Sequence, residues 1–153
     1  MLPLRLAALV AVLLVLVPGT ALAGMSRAEQ VILHQMNEVR AAHGLPLLRY
    51  DPHLQQAARA HSREMLSDNV FRHGAFGLRM IEFNVQGEIT GENIAWGTGT
   101  LGSPESIFAA WLASPEHRAN ILRSSFNRVG LGDLVGAFQG HDGAHVVTAD
   151  FAG

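Results

Sequence analysis

Glu92 is the residue on which chemistry in this chain would turn. It sits in Gly91-Glu92-Asn93-Ile94-Ala95-Trp96, with a carboxamide beside it and apolar and aromatic residues after it. Such neighbours draw a carboxylate towards a core, where it must be paired, hydrogen-bonded, metal-bound or protonated. Among the eight histidines, two are placed to serve as its partners. His73 lies between aromatics in the glycine-rich run Phe71-Arg72-His73-Gly74-Ala75-Phe76-Gly77, a loop that can aim an imidazole inward. His117 follows Ser114-Pro115, an N-cap and first-turn proline, so it falls in the first turn of a helix. The positive end of that helix disfavours the imidazolium and biases His117 towards the neutral form that binds metal or accepts a hydrogen bond. Two imidazoles and one carboxylate make a familiar zinc set with an open fourth position. The spacing alone does not select metal over a plain hydrogen-bonded cluster.

Other chemistries are excluded or unsupported. The chain has no cysteine, which removes thiol catalysis, zinc–thiolate sites and a lipid-modified cysteine anchor. It lacks GxSxG, HExxH and Walker-type patterns. Gly97-Thr98-Gly99-Thr100-Leu101-Gly102 matches GxGxxG formally, but the next helix starts only at Ser103-Pro104 and no βαβ pattern surrounds it, so it reads as a loop. The basic residues are all arginine and do not cluster, which argues against nucleic acid. Arg40 is placed on the polar side of the first helix, where a surface ion pair would add little. His61 reads as a hydrogen-bonded core histidine, Asn93 and Asn120 as amides that pin loops, and Trp96 and Trp111 as core.

The elements that must position these groups follow from pattern. Residues 1–23 have the anatomy of a secretory signal peptide: one arginine, the apolar run Leu6–Val17, Pro18-Gly19, then Ala21-Leu22-Ala23. Cleavage there would leave residues 24–153 as one domain, with no membrane span after cleavage and a monomer as the expected state. Ser26-Arg27-Ala28-Glu29 is a capping box opening a helix with Ile32, Leu33, Met36 and Val39 inward, ending near His43-Gly44. Asp51-Pro52 opens a second helix with Leu54, Ala57, Ala58, His61 and Met65 on its inner stripe. A short helix over Leu78–Val85 is weaker. Ser103-Pro104 and Ser114-Pro115 start two more. The tail alternates as two strands, Arg128–Val135 and His145–Phe151, joined by a polar turn over Gln139–Gly143. The pattern is α+β: helices first, then an antiparallel sheet.

Ordered motifs along this framework resemble the bacterial branch of the CAP (SCP-like) family. They are Asn37–Leu47, Ala60–Met65, Phe71-Arg72-His73, Gly91–Ala95 and Trp111–Leu122, followed by Val129-Gly130-Leu131-Gly132 and Asp150-Phe151. The resemblance implies an α-β-α sandwich with a small antiparallel sheet between helical layers. It also implies a cleft of two histidines and two acidic residues, in which His73 matches the first histidine and Glu92 the first glutamate. The second glutamate position falls on Ser114 and the second histidine position on Val146. His145 is next door, but a one-residue shift in a strand points it to the other face. The bacterial branch carries His117 instead, here preceded by Glu116 where glycine is usual. The resemblance implies a secreted or periplasmic protein. Three activities stay open: a binding module for a cell-envelope component, a lipid or a protein; a divalent-metal hydrolase with zinc on His73 and His117 and Glu92 as ligand or base; or a His/Glu hydrogen-bond network without catalysis.

Overall fold

The computed structural model describes residues 24–153, so the leader expected over 1–23 lies outside the described residues. The elements run α1 (Arg27–Ala42), β1 (Arg49–Tyr50), α2 (Pro52–Asp68), α3 (Phe76–Glu82), β2 (Thr90–Gly97), α4 (Pro104–Ala113), α5 (Pro115–Ile121), β3 (Arg128–Phe138) and β4 (His141–Ala152). The strands form one sheet in the order β1-β3-β4-β2. β4 pairs antiparallel with both β2 and β3, and the two-residue β1 pairs parallel with β3. The architecture is the expected α-β-α sandwich, with one correction to the simple order of helices then strands. The Glu92 stretch is itself an edge strand, formed between α3 and α4.

Strand alternation divides the interior into two layers. Val129, Leu131, Val147, Ala149 and Phe151 face α1 and α4, packing with Ile32, Met36, Phe108 and Trp111. Ile94, Ala144 and Val146 face α2 and pack on Met65. Gly130 and Gly132 explain how α2 approaches the sheet so closely. A Cβ on Gly130 would lie 2.0 Å from the Leu54 carbonyl carbon, and one on Gly132 2.5 Å from Arg59 N. The alternating glycines in the sequence are therefore the seat of a helix.

The helix starts follow their caps. Ser26 accepts from Glu29 N–H while the Glu29 carboxylate accepts from Ser26 N–H, as the capping box predicts. Asp51 caps α2 through the amides of His53 and Leu54. Ser114 stands at the N-cap of α5, but its hydroxyl makes no cap bond. The third helix begins at Phe76, two residues earlier than expected, and ends at Glu82, with Asn84 at positive φ behind it. The β3–β4 turn is tighter than the predicted Gln139–Gly143. Gln139 and Gly140 alone carry it, both at positive φ (51° and 81°), and the strands extend to meet it.

Arg40 overturns its surface reading. It is fully buried. Its guanidinium donates to the backbone carbonyls of Pro46, Ile121, Arg123 and Phe126 at 2.8, 2.8, 3.0 and 2.7 Å. One side chain thus ties α1 to the last residue of α5, the helix that carries Asn120, and to the connection that follows it. Burial lowers the Arg40 pKa from its usual value. Glu29 also does more than cap. It is fully buried and accepts from Arg59 Nε and Nη2, Gln55 Nε2 and the Asp133 amide, joining α1, α2 and β3.

Candidate functional site: a His–Glu–Arg cluster

Glu92 lies on β2 with its side chain on the α2 side of the sheet, opposite Asp150 of β4 in register. Its side chain is 3% exposed, and both oxygens are engaged. Oε1 accepts from His73 Nδ1 at 2.7 Å. Oε2 accepts from the guanidinium of Arg79, which is itself buried. Arg79 comes from α3 and also reaches the His73 carbonyl at 3.4 Å, so the helix and the loop before it are held to the strand by one carboxylate. The carboxylate expected to be buried is buried. Its principal partner, Arg79, was not anticipated, because nothing in the spacing between Arg79 and Glu92 marks them as neighbours.

The imidazole of His73 is 59% exposed. A carboxylate can only accept, so Nδ1 carries the proton on the Glu92 side. In its neutral form the ring then presents Nε2 outward as a hydrogen-bond acceptor. Beneath it, His61 is fully buried on α2. Its Nε2 lies 2.8 Å from the Arg72 carbonyl and its Nδ1 3.2 Å from Glu64, so it fixes the backbone entering the His73 loop. The reading of His61 as a hydrogen-bonded core histidine holds, with Glu92 Oε2 a further 3.8 Å from its Nε2. Glu64 also pairs with Arg72, and this hydrogen bond is the main reason its pKa falls below the usual range.

Asp150 was singled out only as part of a terminal strand motif. It is fully buried, with Oδ1 4.0 Å from Arg79 Nη2. Neither carboxyl oxygen has a hydrogen-bond partner. Burial foremost, then the charge of Glu92, pushes its pKa well above the ordinary carboxylate range, against the opposing pull of Arg79. A signal was present in retrospect: an acidic residue inside the apolar alternation of a central strand must sit in the core or end the strand.

His117 stands on the other side of β2, half-buried, on the short helix α5. Its backbone carbonyl accepts from Asn93 Nδ2 at 3.0 Å, while Asn120 donates to Asn93 Oδ1 and to the Glu92 carbonyl. The two amides therefore pin α5 to the strand that carries Glu92, as their residue types suggested. The pKa of His117 is lowered, in the expected direction. The cause differs: burial is largest, followed by the charge of His73, with Glu116 opposing. His73 and His117 are thus near enough to sense each other, but His117 makes no hydrogen bond to Glu92.

The remaining histidine of interest points elsewhere. His145 lies on the opposite face of β4 from Asp150, where Nδ1 meets Asp133 Oδ1 at 2.9 Å. Val146, which takes the second family histidine position, packs with Met65, Ile94 and Phe138. Trp111 is core, its Nε1 donating to the Ile94 carbonyl. Trp96 is only partly buried and packs edge-on against Phe138.

The zinc set of His73, His117 and Glu92 can be tested on this geometry. Among the described residues, no group of three histidine or carboxylate side chains is arranged to hold a metal ion. Glu92 already has one oxygen on a guanidinium and the other on an imidazole N–H. A divalent cation there would displace a proton and stand against a permanent positive charge. The residues present do not fit a metal on Glu92.

Comparison with known proteins agrees with the fold and the motif order. Residues 33–151 match the model of the cysteine-rich secretory protein family, CAP. The chain is 35% identical over 118 residues to the Bacillus subtilis (strain 168) protein YkwD, covering 74% of this chain and 45% of that one. It is 33% identical over 110 residues to the B. subtilis membrane protein YlbC, covering 69% and 31%. It therefore spans less than half the length of these curated relatives. Among solved structures, an extracellular SCP-domain protein from Bacillus anthracis matches with a TM-score of 0.67 at 30% identity, over 82% of this chain and 40% of that one. An outer surface protein from Borrelia burgdorferi shares the fold with a TM-score of 0.69 at 20% identity, over 81% and 90%. On the extent of the family match and the identity to these relatives, the chain belongs to the CAP family of cysteine-rich secretory proteins, in a form without cysteines.

Proposed function

We propose that this chain is exported by its apolar leader, residues 1–23, and that residues 24–153 act outside the cytoplasm as a binding module. The His73 face engages a cell-envelope polymer in preference to a lipid or a protein. The observation that carries this reading is the closed state of Glu92. Both its oxygens are held by Arg79 and His73, so it offers neither a free base nor an open ligand. What the cluster turns outward is an imidazole nitrogen able to accept from a hydroxyl or amide. The exposed ring of Phe71 lies two residues before it in the chain, available for stacking on a sugar face. Export is supported by the extracellular B. anthracis relative.

Binding of the purified protein to isolated envelope polymer should saturate and weaken at least ten-fold in His73→Ala under conditions where circular dichroism shows that variant still folded. No saturable binding, or equal binding by His73→Ala, would reject the proposal. A hydrolytic reading keeps one support: His73 oriented by Glu92 has the base-and-orienter half of a catalytic triad. Release of soluble fragments from the same polymer, lost in His73→Ala, would favour it over simple binding.

A further inference from the structure

We infer that the chain carries a second ligand site, centred on His145, on the opposite face of the sheet from Glu92. It takes an acetamido-bearing sugar unit, so that one molecule can hold two segments of a polymer. The inference rests on the reading of this chain as a binding module for an envelope polymer. His145 Nδ1 lies 2.9 Å from Asp133 Oδ1 and 3.1 Å from Oδ2. The Asp133 side chain is 6% exposed and that of His145 31%. Among the described residues the Asp133 carboxylate has no other hydrogen-bond partner, since Glu29 meets only its backbone amide. The pair repeats the arrangement at His73. A buried carboxylate accepts from Nδ1–H, and the neutral ring keeps Nε2 as an acceptor, open to solvent and without a partner among the described residues.

The surroundings of the ring are apolar and exposed. Val135, its register partner on β3, stands on the same face at 58% exposure, and Leu101 of the adjoining loop is 72% exposed. The glycines of Gly97-Thr98-Gly99-Thr100-Leu101-Gly102 bring that loop to the ring. A Cβ on Gly97 would lie 2.4 Å from the Leu101 carbonyl oxygen, and one on Gly102 3.1 Å from His145 Cδ2. The run that mimics a dinucleotide motif is therefore what lets a loop lie down beside a histidine. An acceptor nitrogen beside aliphatic side chains selects a group that offers an N–H and a methyl together, as the acetamido substituent of a sugar does. A bare hydroxyl would use Nε2 but leave Leu101 and Val135 uncovered. Because Glu92 and His145 point to opposite faces of the sheet, one sugar unit cannot fill both sites. Two sites on one chain strengthen its hold on a repeating polymer beyond either alone.

The test is a titration of nitrogen-15-labelled protein with the tetramer of β-1,4-linked N-acetylglucosamine, followed by the amide and histidine side-chain NMR signals. Two separate groups of signals should shift and saturate, one around Phe71 and His73 and one around Leu101, Val135 and His145. Leu101→Ser/Val135→Thr changes only exposed side chains. It should weaken the second response at least ten-fold and leave the first as in wild type, and His73→Ala should do the reverse. The glucose tetramer of the same linkage lacks the acetamido group and should leave the His145 signals unmoved. Shifts confined to the His73 group, an undiminished His145 response in Leu101→Ser/Val135→Thr, or an equal response to the glucose tetramer would each overturn the inference. So would silence at both groups in a protein that still binds isolated envelope polymer through His73, a result that leaves the binding-module reading intact. Loss of polymer binding as well would reject both.

Discussion

The Arg79–Glu92 pair makes a demanding prediction about stability. Both side chains are almost wholly buried, at 6% and 3% exposure. Breaking such a pair from one side costs about 3–5 kcal/mol, because the survivor is left as an uncompensated buried charge. Arg79→Met should fall near the lower end, about 3 kcal/mol, since Glu92 keeps its bond to His73. Glu92→Gln should cost less, about 2 kcal/mol, the scale of one hydrogen bond to a charged group. The carboxamide preserves the shape, and its oxygen can still accept from Arg79. The double variant removes both members, so it should cost less than the sum of the singles by on the order of 2 kcal/mol. Urea unfolding followed by circular dichroism at pH 7 measures all three. For a domain of this size the arginine variant should melt roughly 10 °C lower. Additivity of the single costs to within about 0.5 kcal/mol would show that the two residues act independently. That result would remove the cluster from the account.

Further expectations concern the frame and its response to pH. Arg40→Met keeps the stem but abandons carbonyls at Pro46, Ile121, Arg123 and Phe126, and should lose about 3 kcal/mol or more in the same urea assay. A loss below about 1 kcal/mol would restore the surface reading. Gly130→Ala places a methyl 2.0 Å from the backbone of α2 and should abolish cooperative folding, whereas alanine at Gly77, with nothing within 4 Å, should not. Equal melting of the two variants would contradict the close seat of α2. For Asp150, whose folded pKa is raised, the native state holds its proton more tightly than the unfolded chain. Its contribution therefore falls as pH rises from about 3.8 through the folded pKa. Stability of Asp150→Asn should decline less steeply than wild type over that window, and an unchanged slope would refute the assignment. His117 has the opposite sign. With its folded pKa lowered, its contribution is full above about 6.5 and is lost as pH falls towards the folded value, so His117→Asn should flatten that loss.

The fold was largely legible because its signals are local. Ser26, Asp51, Ser103 and the prolines after three of the caps mark helix starts by residue type, and alternation marks β3 and β4. The site was legible in part. Glu92 could be recognised as a buried carboxylate from its apolar neighbours, and His73 from its loop. Arg79, Asp150 and the inward course of Arg40 could not. Their partners are set by how α3 and α1 dock on the rest of the chain, and a helical position on the polar side of an inner stripe reads as surface until that docking is known. Three of the four hydrogen bonds of Arg40 reach 81 to 86 residues along the chain, well beyond any periodicity.

The central claim is that Glu92 is closed by Arg79 and His73, leaving His73 Nε2 as the outward acceptor. Nitrogen-15 spectra of the histidine side chains test it most directly. At a pH where the ring is neutral, His73 should appear as the Nδ1–H tautomer in wild type, unchanged by chelator, and should lose that preference in Glu92→Gln. The Nε2–H tautomer in wild type, or a His73 signal that shifts when chelator is added, would contradict the account.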